Sequence, residues 1–154
     1  MNTTKKTLTT LEAYRFAQYQ PSAVTTMSLT SDKKLLAVAR ENGSIEVWRT
    51  NSWSQIVVIP GNKNCPVRHI HWMGPHGEDV NPLYAGGKKR RLVTTGLNGS
   101  VLEWDLNGKI RTKLTSQTAI WASVKFNTEA NQKLIALGTE DGSIKIVKVK
   151  KEAI

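Results

Sequence analysis

"GLNGSVLEWDL", Gly96 to Leu106, decides how this chain is read. An Asn-Gly pair, a serine and then apolar residues two apart mark a hairpin turn feeding a half-buried strand. The same pattern recurs as "RENGSIEVWRT", Arg40 to Thr50, and as "TEDGSIKIVKV", Thr139 to Val149. A short apolar strand precedes each turn: "KLLAVA" from Lys34, "RLVTTG" from Arg91 and "KLIALG" from Lys133. The pairs Asn42-Gly43, Asn98-Gly99 and Asp141-Gly142 predict type I′ turns, which need positive φ at both central residues. Glycine adopts that conformation without steric cost, and Asn or Asp tolerates it.

Gly43, Gly99 and Gly142 stand 56 and 43 residues apart. The second spacing suits a four-stranded propeller blade of roughly 40–45 residues. The first is longer by about one loop, and "GPHGEDVNPLYAGGKK", Gly74 to Lys89, supplies the surplus as an insertion rich in Gly, Pro and charge. Further strands flank the hairpins. "AVTTMSLT", "VRHIHWM" and "AIWASVKF" precede them, and "SQIVVIP" and "KIRTKLT" follow the first two. The third unit lacks this outer strand, apart from a start in "KKEAI". The expected fold is all-β: an incomplete propeller of about three four-stranded antiparallel blades, over residues 20–60, 61–115 and 116–154. Residues 1–10 are expected to be flexible, and "LEAYRFAQY", 11–19, is a strand that could complete the outer edge of a last blade.

With 154 residues, 39% of them hydrophobic, the chain is long enough for one domain with a core. Its 22 Lys and Arg against 12 acidic residues give a net charge of +10, which favours polyanionic surroundings or an acidic partner. An ordinary basic surface explains the charge equally well. The single cysteine, Cys65, excludes an intrachain disulfide. No leader pattern and no membrane-length apolar run is present, so the expectation is a soluble intracellular protein without a membrane partner.

Few residues suggest chemistry. "KKRR", Lys88, Lys89, Arg90 and Arg91, could bind phosphate or act in nuclear import. The competing reading is a solvated loop end. Tyr84 is the only ring nearby, so non-specific backbone contact is expected there rather than base reading. His69 and His71 share a strand face, with Cys65 and His76 close by, but the set lacks the ligands of a metal site. No nucleophile elbow or phosphate-cradling loop is present. No catalytic residue, cofactor or metal is expected. Asp32, Asp105 and Asp141 read as structural turn acids. Trp48, Trp104 and Trp121 read as packing between blades, and Trp53, in a turn, as a surface anchor.

The strand order, the period and "SVLEWDL" resemble WD-repeat proteins, although the usual Gly-His dipeptide is missing. "LEAYRFAQYQPSAVTTMSLTSDKKLLAVARENGSIEVW", "RLVTTGLNGSVLEWDL", "AIWASVKF" and "LIALGTEDGSIKI" together resemble the opening blades of the cirhin family. Members of that family are much longer, two-propeller subunits of the small-subunit processome, associated with the box C/D guide RNA of early ribosomal RNA processing. The resemblance implies a non-catalytic nucleolar scaffold. Its implied partners are other processome proteins, with pre-ribosomal or small nucleolar RNA touched through basic contacts. A generic WD-repeat adaptor of ubiquitin ligation, chromatin or trafficking is the alternative. Three blades cannot close a ring. The chain is therefore expected to be a fragment of a longer protein, to be completed by another chain, or to self-associate.

Overall fold

The computed structural model describes residues 11–12, 22–62, 64, 66–74, 81, 83–85 and 88–149. The start expected to be flexible, most of the strand expected over 11–19, the outer-strand start expected in "KKEAI", Cys65, His76 and much of the 74–89 insertion lie outside the described residues.

All regular structure among the described residues is β. The first sheet joins β1 (Val24–Leu29), β2 (Leu35–Arg40), β3 (Ile45–Arg49) and β4 (Ser54–Ile59) in chain order, each antiparallel to the next. The second opens with β5 (His69–Met73). A small hairpin, β6 (Tyr84–Ala85) and β7 (Lys88–Lys89), then interrupts the chain before β8 (Arg91–Thr95), β9 (Ser100–Asp105) and β10 (Ile110–Thr115) complete the sheet. The third holds β11 (Ile120–Asn127), β12 (Lys133–Thr139) and β13 (Ile144–Lys148). β1 and β11 both pack against β5, so the first strands of the three sheets stand side by side. This is the all-β arrangement of stacked sheets that the repeats imply.

Period-two alternation builds the core. Leu35, Ala37 and Ala39 of β2 and Ile45 and Val47 of β3 turn one face of the first sheet toward the second. They join Ile70, Trp72, Leu92, Leu102 and Trp104 in one buried cluster. The cluster combines two alanines with two indoles, small side chains with large ones. Each indole finds an acceptor: Trp72 Nε1 donates to the Ser28 carbonyl at 2.8 Å, and Trp104 Nε1 to Thr94 Oγ1 at 2.9 Å. The opposite face of the second sheet supplies Met73, Val93 and Val101, which meet Ile120, Ile135 and Leu137 of the third. Burying each Leu or Ile side chain in these seams is worth about 1.5–3 kcal/mol.

The hairpin turns differ from the type I′ expectation. Positive φ falls on Gly43 (82°), Gly99 (78°) and Gly142 (82°), and not on Asn42, Asn98 or Asp141. Each is a three-residue loop closed by a tight turn, as in Gly99 N donating to the Gly96 carbonyl at 3.0 Å and Gly96 N to the Ser100 carbonyl at 3.1 Å. The side chains explain the difference. Asn42 Oδ1 accepts from Ser44 N at 2.9 Å and Ser44 Oγ at 2.7 Å. Asn98 and Ser100 repeat this at 3.1 and 2.6 Å, and Asp141 and Ser143 at 3.0 and 2.6 Å. An Asx residue bonded forward in this way keeps negative φ and leaves the left-handed position to glycine.

Trp121 also departs from expectation. Trp48 and Trp104, each 7% exposed, are buried, but Trp121 is 51% exposed. The first two lie on third strands of their sheets, whereas Trp121 lies on a first strand beside a register shift between Ile120 and Ala122. Ile120 takes the buried place, and the indole stacks under Arg68, whose Cζ is 5.9 Å from the ring centroid.

Candidate functional site

Two features of the arc bear on function: an apolar sheet face without a neighbour among the described residues, and a cluster of basic residues at one of its two ends.

The register places Val124, Ala136 and Ile146 in one row across the third sheet, with Ala122, Gly138 and Ile144 beside it. The other face of the same strands, with Ile135 and Leu137, is buried against the second sheet. Val124 is 61% exposed, Ile146 55% and Ile144 78%. Such a contiguous exposed apolar row is a candidate interaction surface. A cleft of about 730 Å³ opens nearby, between the outer parts of the second and third sheets. Val93, Val101, Leu114, Ile135 and Val147 contribute to its apolar lining, and the Arg91–Glu103 pair lies at its wall. By repeat alignment Val147 occupies the place of Trp104. Moreover, β13 has no outer neighbour among the described residues, whereas β3 carries β4 and β9 carries β10. A smaller side chain and an unpaired strand edge therefore coincide at this cleft.

Strand alternation sends successive links to opposite ends of the arc. The Asx-Gly turns share one end. The β1–β2 and β3–β4 links, the β7–β8 approach and the β9–β10 turn share the other. Bonds across the seams fix this alignment: Thr25 Oγ1 reaches the Val67 carbonyl at 2.9 Å at the Asx-Gly end, and Arg90 pairs with Asp32 at the other. Lys33, Arg49, Lys88, Lys89 and Lys109 are exposed at this second end, with Lys34 half-buried among them. The described acids there are Asp32, Asp105 and Glu129. Asp32 is engaged by Arg90, and Asp105 by Arg111 at 2.5 Å. At the Asx-Gly end the exposed charges include Glu41, Glu140 and Asp141.

The "KKRR" run divides. Lys88 and Lys89 project from the small hairpin, Lys89 Nζ lying 5.9 Å from the Tyr84 ring centroid. Arg90 is buried on Asp32, and Arg91 turns to Glu103. Burial raises the Asp32 carboxyl, but the Thr30 hydroxyl, the Lys34 N–H and Arg90 outweigh it and hold the group below its ordinary value. Asp141 is held far below the usual carboxylate range by the Ser143 and Thr139 hydroxyls and the Ser143 N–H. Asp32 Oδ1 accepts from Thr30 Oγ1 at 2.6 Å and Lys34 N at 3.1 Å, and so ties the β1–β2 turn. Trp53 is half-buried in the β3–β4 link at a φ of 52°.

His69 and His71 both face the third sheet. His71 Nε2 is 2.7 Å from Ser123 Oγ, while Thr95 Oγ1 is 3.5 Å from His69 Nδ1. Burial, then His69 and Lys125, lowers the His71 pKa to about 4. No group of three metal-ligating side chains occurs among the described residues.

Comparison with solved structures decides what this stack of sheets is. The WD40 domain of SCAP from fission yeast matches with a TM-score of 0.65 at 16% identity, over 87% of this chain and 31% of that one. Sqt1 of Saccharomyces cerevisiae matches with a TM-score of 0.60 at 14% identity, over 84% of this chain and 32% of that one. The fold is that of a WD-repeat β-propeller, in part. The WD-repeat sheets described above are thus its blades. Among curated proteins, the U3 small nucleolar RNA-associated protein 4 of Saccharomyces cerevisiae is 27% identical over 147 residues, covering 88% of this chain and 17% of that protein. The mouse homolog is 31% identical over 144 residues, covering 91% and 18%. The protein of the same name in Schizosaccharomyces pombe is 31% identical over 141 residues, covering 84% and 18%. The chain thus spans less than a fifth of the length of these relatives. No family model matches it. The WD-repeat chain is thus similar, over part of their length, to proteins named for association with U3 small nucleolar RNA.

Proposed function

We propose that this chain is a non-catalytic WD-repeat scaffold of ribosome biogenesis, working in the nucleolus as part of the small-subunit processome. Its similarity to three proteins named for association with U3 small nucleolar RNA supports the complex. The observation that carries the scaffold reading is the third blade, with its exposed apolar row and, among the described residues, no strand paired to the outer edge of β13. These surfaces suit docking, and further blades or another chain would cover them. The blades are taken as residues 20–60, 61–115 and 116–154, with 11–19 as an edge strand. Lys88 and Lys89 are the exposed half of the basic patch and would touch RNA phosphates. Arg90 and Arg91 would hold that patch in place. Trp53 is a candidate protein anchor on the same end.

The reading is tested by sedimentation. A tagged chain in nuclear extract should travel with large pre-ribosomal particles and recover early ribosomal RNA precursors. Sedimentation only with small cytoplasmic assemblies would overturn the proposal in favour of a general WD-repeat adaptor.

A further inference from the structure

The "KKRR" run accounts for only part of the charge at its end of the arc. Lys33 and Lys34 come from the β1–β2 turn, Arg49 from the end of β3, Lys88 and Lys89 from β7, and Lys109 from the β9–β10 turn. Up to 76 residues separate them in sequence, from Lys33 to Lys109. Antiparallel pairing nevertheless brings all of them to one end of two adjacent blades. None of the six takes part in an ion pair among the described residues. Two of the described acids at this end are already engaged, Asp32 by Arg90 and Asp105 by Arg111. The opposite end exposes Glu41, Glu140 and Asp141, while its Arg68 lies over Trp121.

We infer that this end of the first two blades is a track for the phosphodiester backbone of RNA, formed by Lys33, Lys34, Arg49, Lys88, Lys89 and Lys109. The inference deepens the proposed function and rests on it for the choice of RNA as the polyanion. Lysine dominates the set, and ammonium groups act as point charges without the planar fork that reads bases or carboxylates in pairs. Their spread over several links suits a repeating charge along a strand better than a single acidic group. Such a track binds without sequence preference and releases counterions, so its affinity falls steeply with salt. The opposite end, where Glu41, Glu140 and Asp141 stand with Arg68 and Lys145, gathers no such track among the described residues.

The test is binding of the purified full chain to a fluorescent 20-nucleotide poly(U) RNA, followed by anisotropy between 50 and 200 mM KCl. The wild-type chain should bind with a steep negative salt slope. The triple variant Lys33→Gln, Arg49→Gln, Lys88→Gln should bind about tenfold more weakly at the low-salt end. Its slope should be shallower by about two, given roughly 0.7 per lost contact to a single strand. Arg68→Gln, at the other end, should bind like wild type. Circular dichroism and urea midpoints show whether each variant keeps its fold. A folded triple variant with wild-type affinity and slope would overturn the inference. So would displacement of the RNA by poly-glutamate at the same charge concentration as by unlabelled poly(U), because that outcome assigns the surface to an acidic protein. If the triple variant loses RNA but still travels with pre-ribosomal particles, the scaffold reading survives without RNA contact at this end. Loss of sedimentation by the wild-type chain itself would instead remove that reading.

Discussion

Arg90, between β7 and β8, donates to the carboxylate of Asp32 in the β1–β2 turn and so ties the second blade to the first. Both side chains are largely buried, at 7% and 13% exposure. Removing either partner breaks a charge-assisted bond between largely buried groups in the seam. Asp32→Ala should therefore destabilise the chain by about 2–4 kcal/mol, which urea unfolding would measure. Arg90→Gln should cost less when Asp32→Asn is already present. Strictly additive losses would show that the two residues act separately.

The three Asx-Gly turns look alike in sequence but should differ in their tolerance of substitution. A Cβ on Gly142 meets nothing within 4 Å, so Gly142→Ala carries only the left-handed φ penalty, about 1 kcal/mol. A Cβ on Gly99 would lie 2.7 Å from the Thr118 carbonyl oxygen. Gly99→Ala should cost roughly 3 kcal/mol or more, because backbone must move as well. Equal melting temperatures for the two variants would contradict this ranking.

Glu46 is 1% exposed and accepts from Arg40 Nε at 2.7 Å, Arg40 Nη2 at 3.4 Å and Trp48 Nε1 at 2.9 Å. Arg40 Nη1 also reaches the Ser22 carbonyl at 2.8 Å. Glu46→Ala leaves a buried guanidinium unpaired and should destabilise by about 3–5 kcal/mol. Replacing the pair together, Arg40→Met with Glu46→Leu, should recover part of that loss, since the buried charge is gone while Trp48 Nε1 still lacks its acceptor. Equilibrium unfolding of the single and double variants decides the point.

His71 predicts a pH dependence. Its folded pKa of about 4 lies below the ordinary 6.5, mainly through burial. Between those values the unfolded chain binds the extra proton and the folded chain does not, so stability falls as pH drops from about 6.5 toward 4. With the ring partly exposed, the loss should be roughly 1–2 kcal/mol. His71→Gln should flatten this part of the stability profile. An unchanged profile would move the dependence to another group.

Much of the architecture could be read from the chain because hairpins are local. The spacing of Gly43, Gly99 and Gly142, and the alternation of Ile45, Val47, Val101 and Ile144, mark strand and turn within a dozen residues. The turn type escaped because it depends on the oxygens of Asn42, Asn98 and Asp141 reaching forward to Ser44, Ser100 and Ser143. The serine two positions after each Asx was the available sign. Trp121 escaped because a register shift beside Ile120 decides which side chain enters the seam, and no periodicity encodes that shift. Arg90 and Arg91 read as half of a basic run, although their partners, Asp32 in the β1–β2 turn and Glu103 on β9, lie elsewhere in the chain.

The sequence by itself determined three repeated hairpins, an all-β stack and an excess of positive charge. Each of these follows from residue type and short-range periodicity. Only the tertiary structure decided where the charge lies and which surfaces are free. Antiparallel pairing sends alternate links to opposite ends, and so gathers Lys33, Arg49, Lys88 and Lys109 at one end while Glu41 and Asp141 face the other. The stacking of the third blade on the second buries Ile135 and Leu137 and leaves Val124 and Ile146 uncovered. These outcomes depend on contacts between residues far apart in the chain, where geometry rather than local preference selects the neighbour.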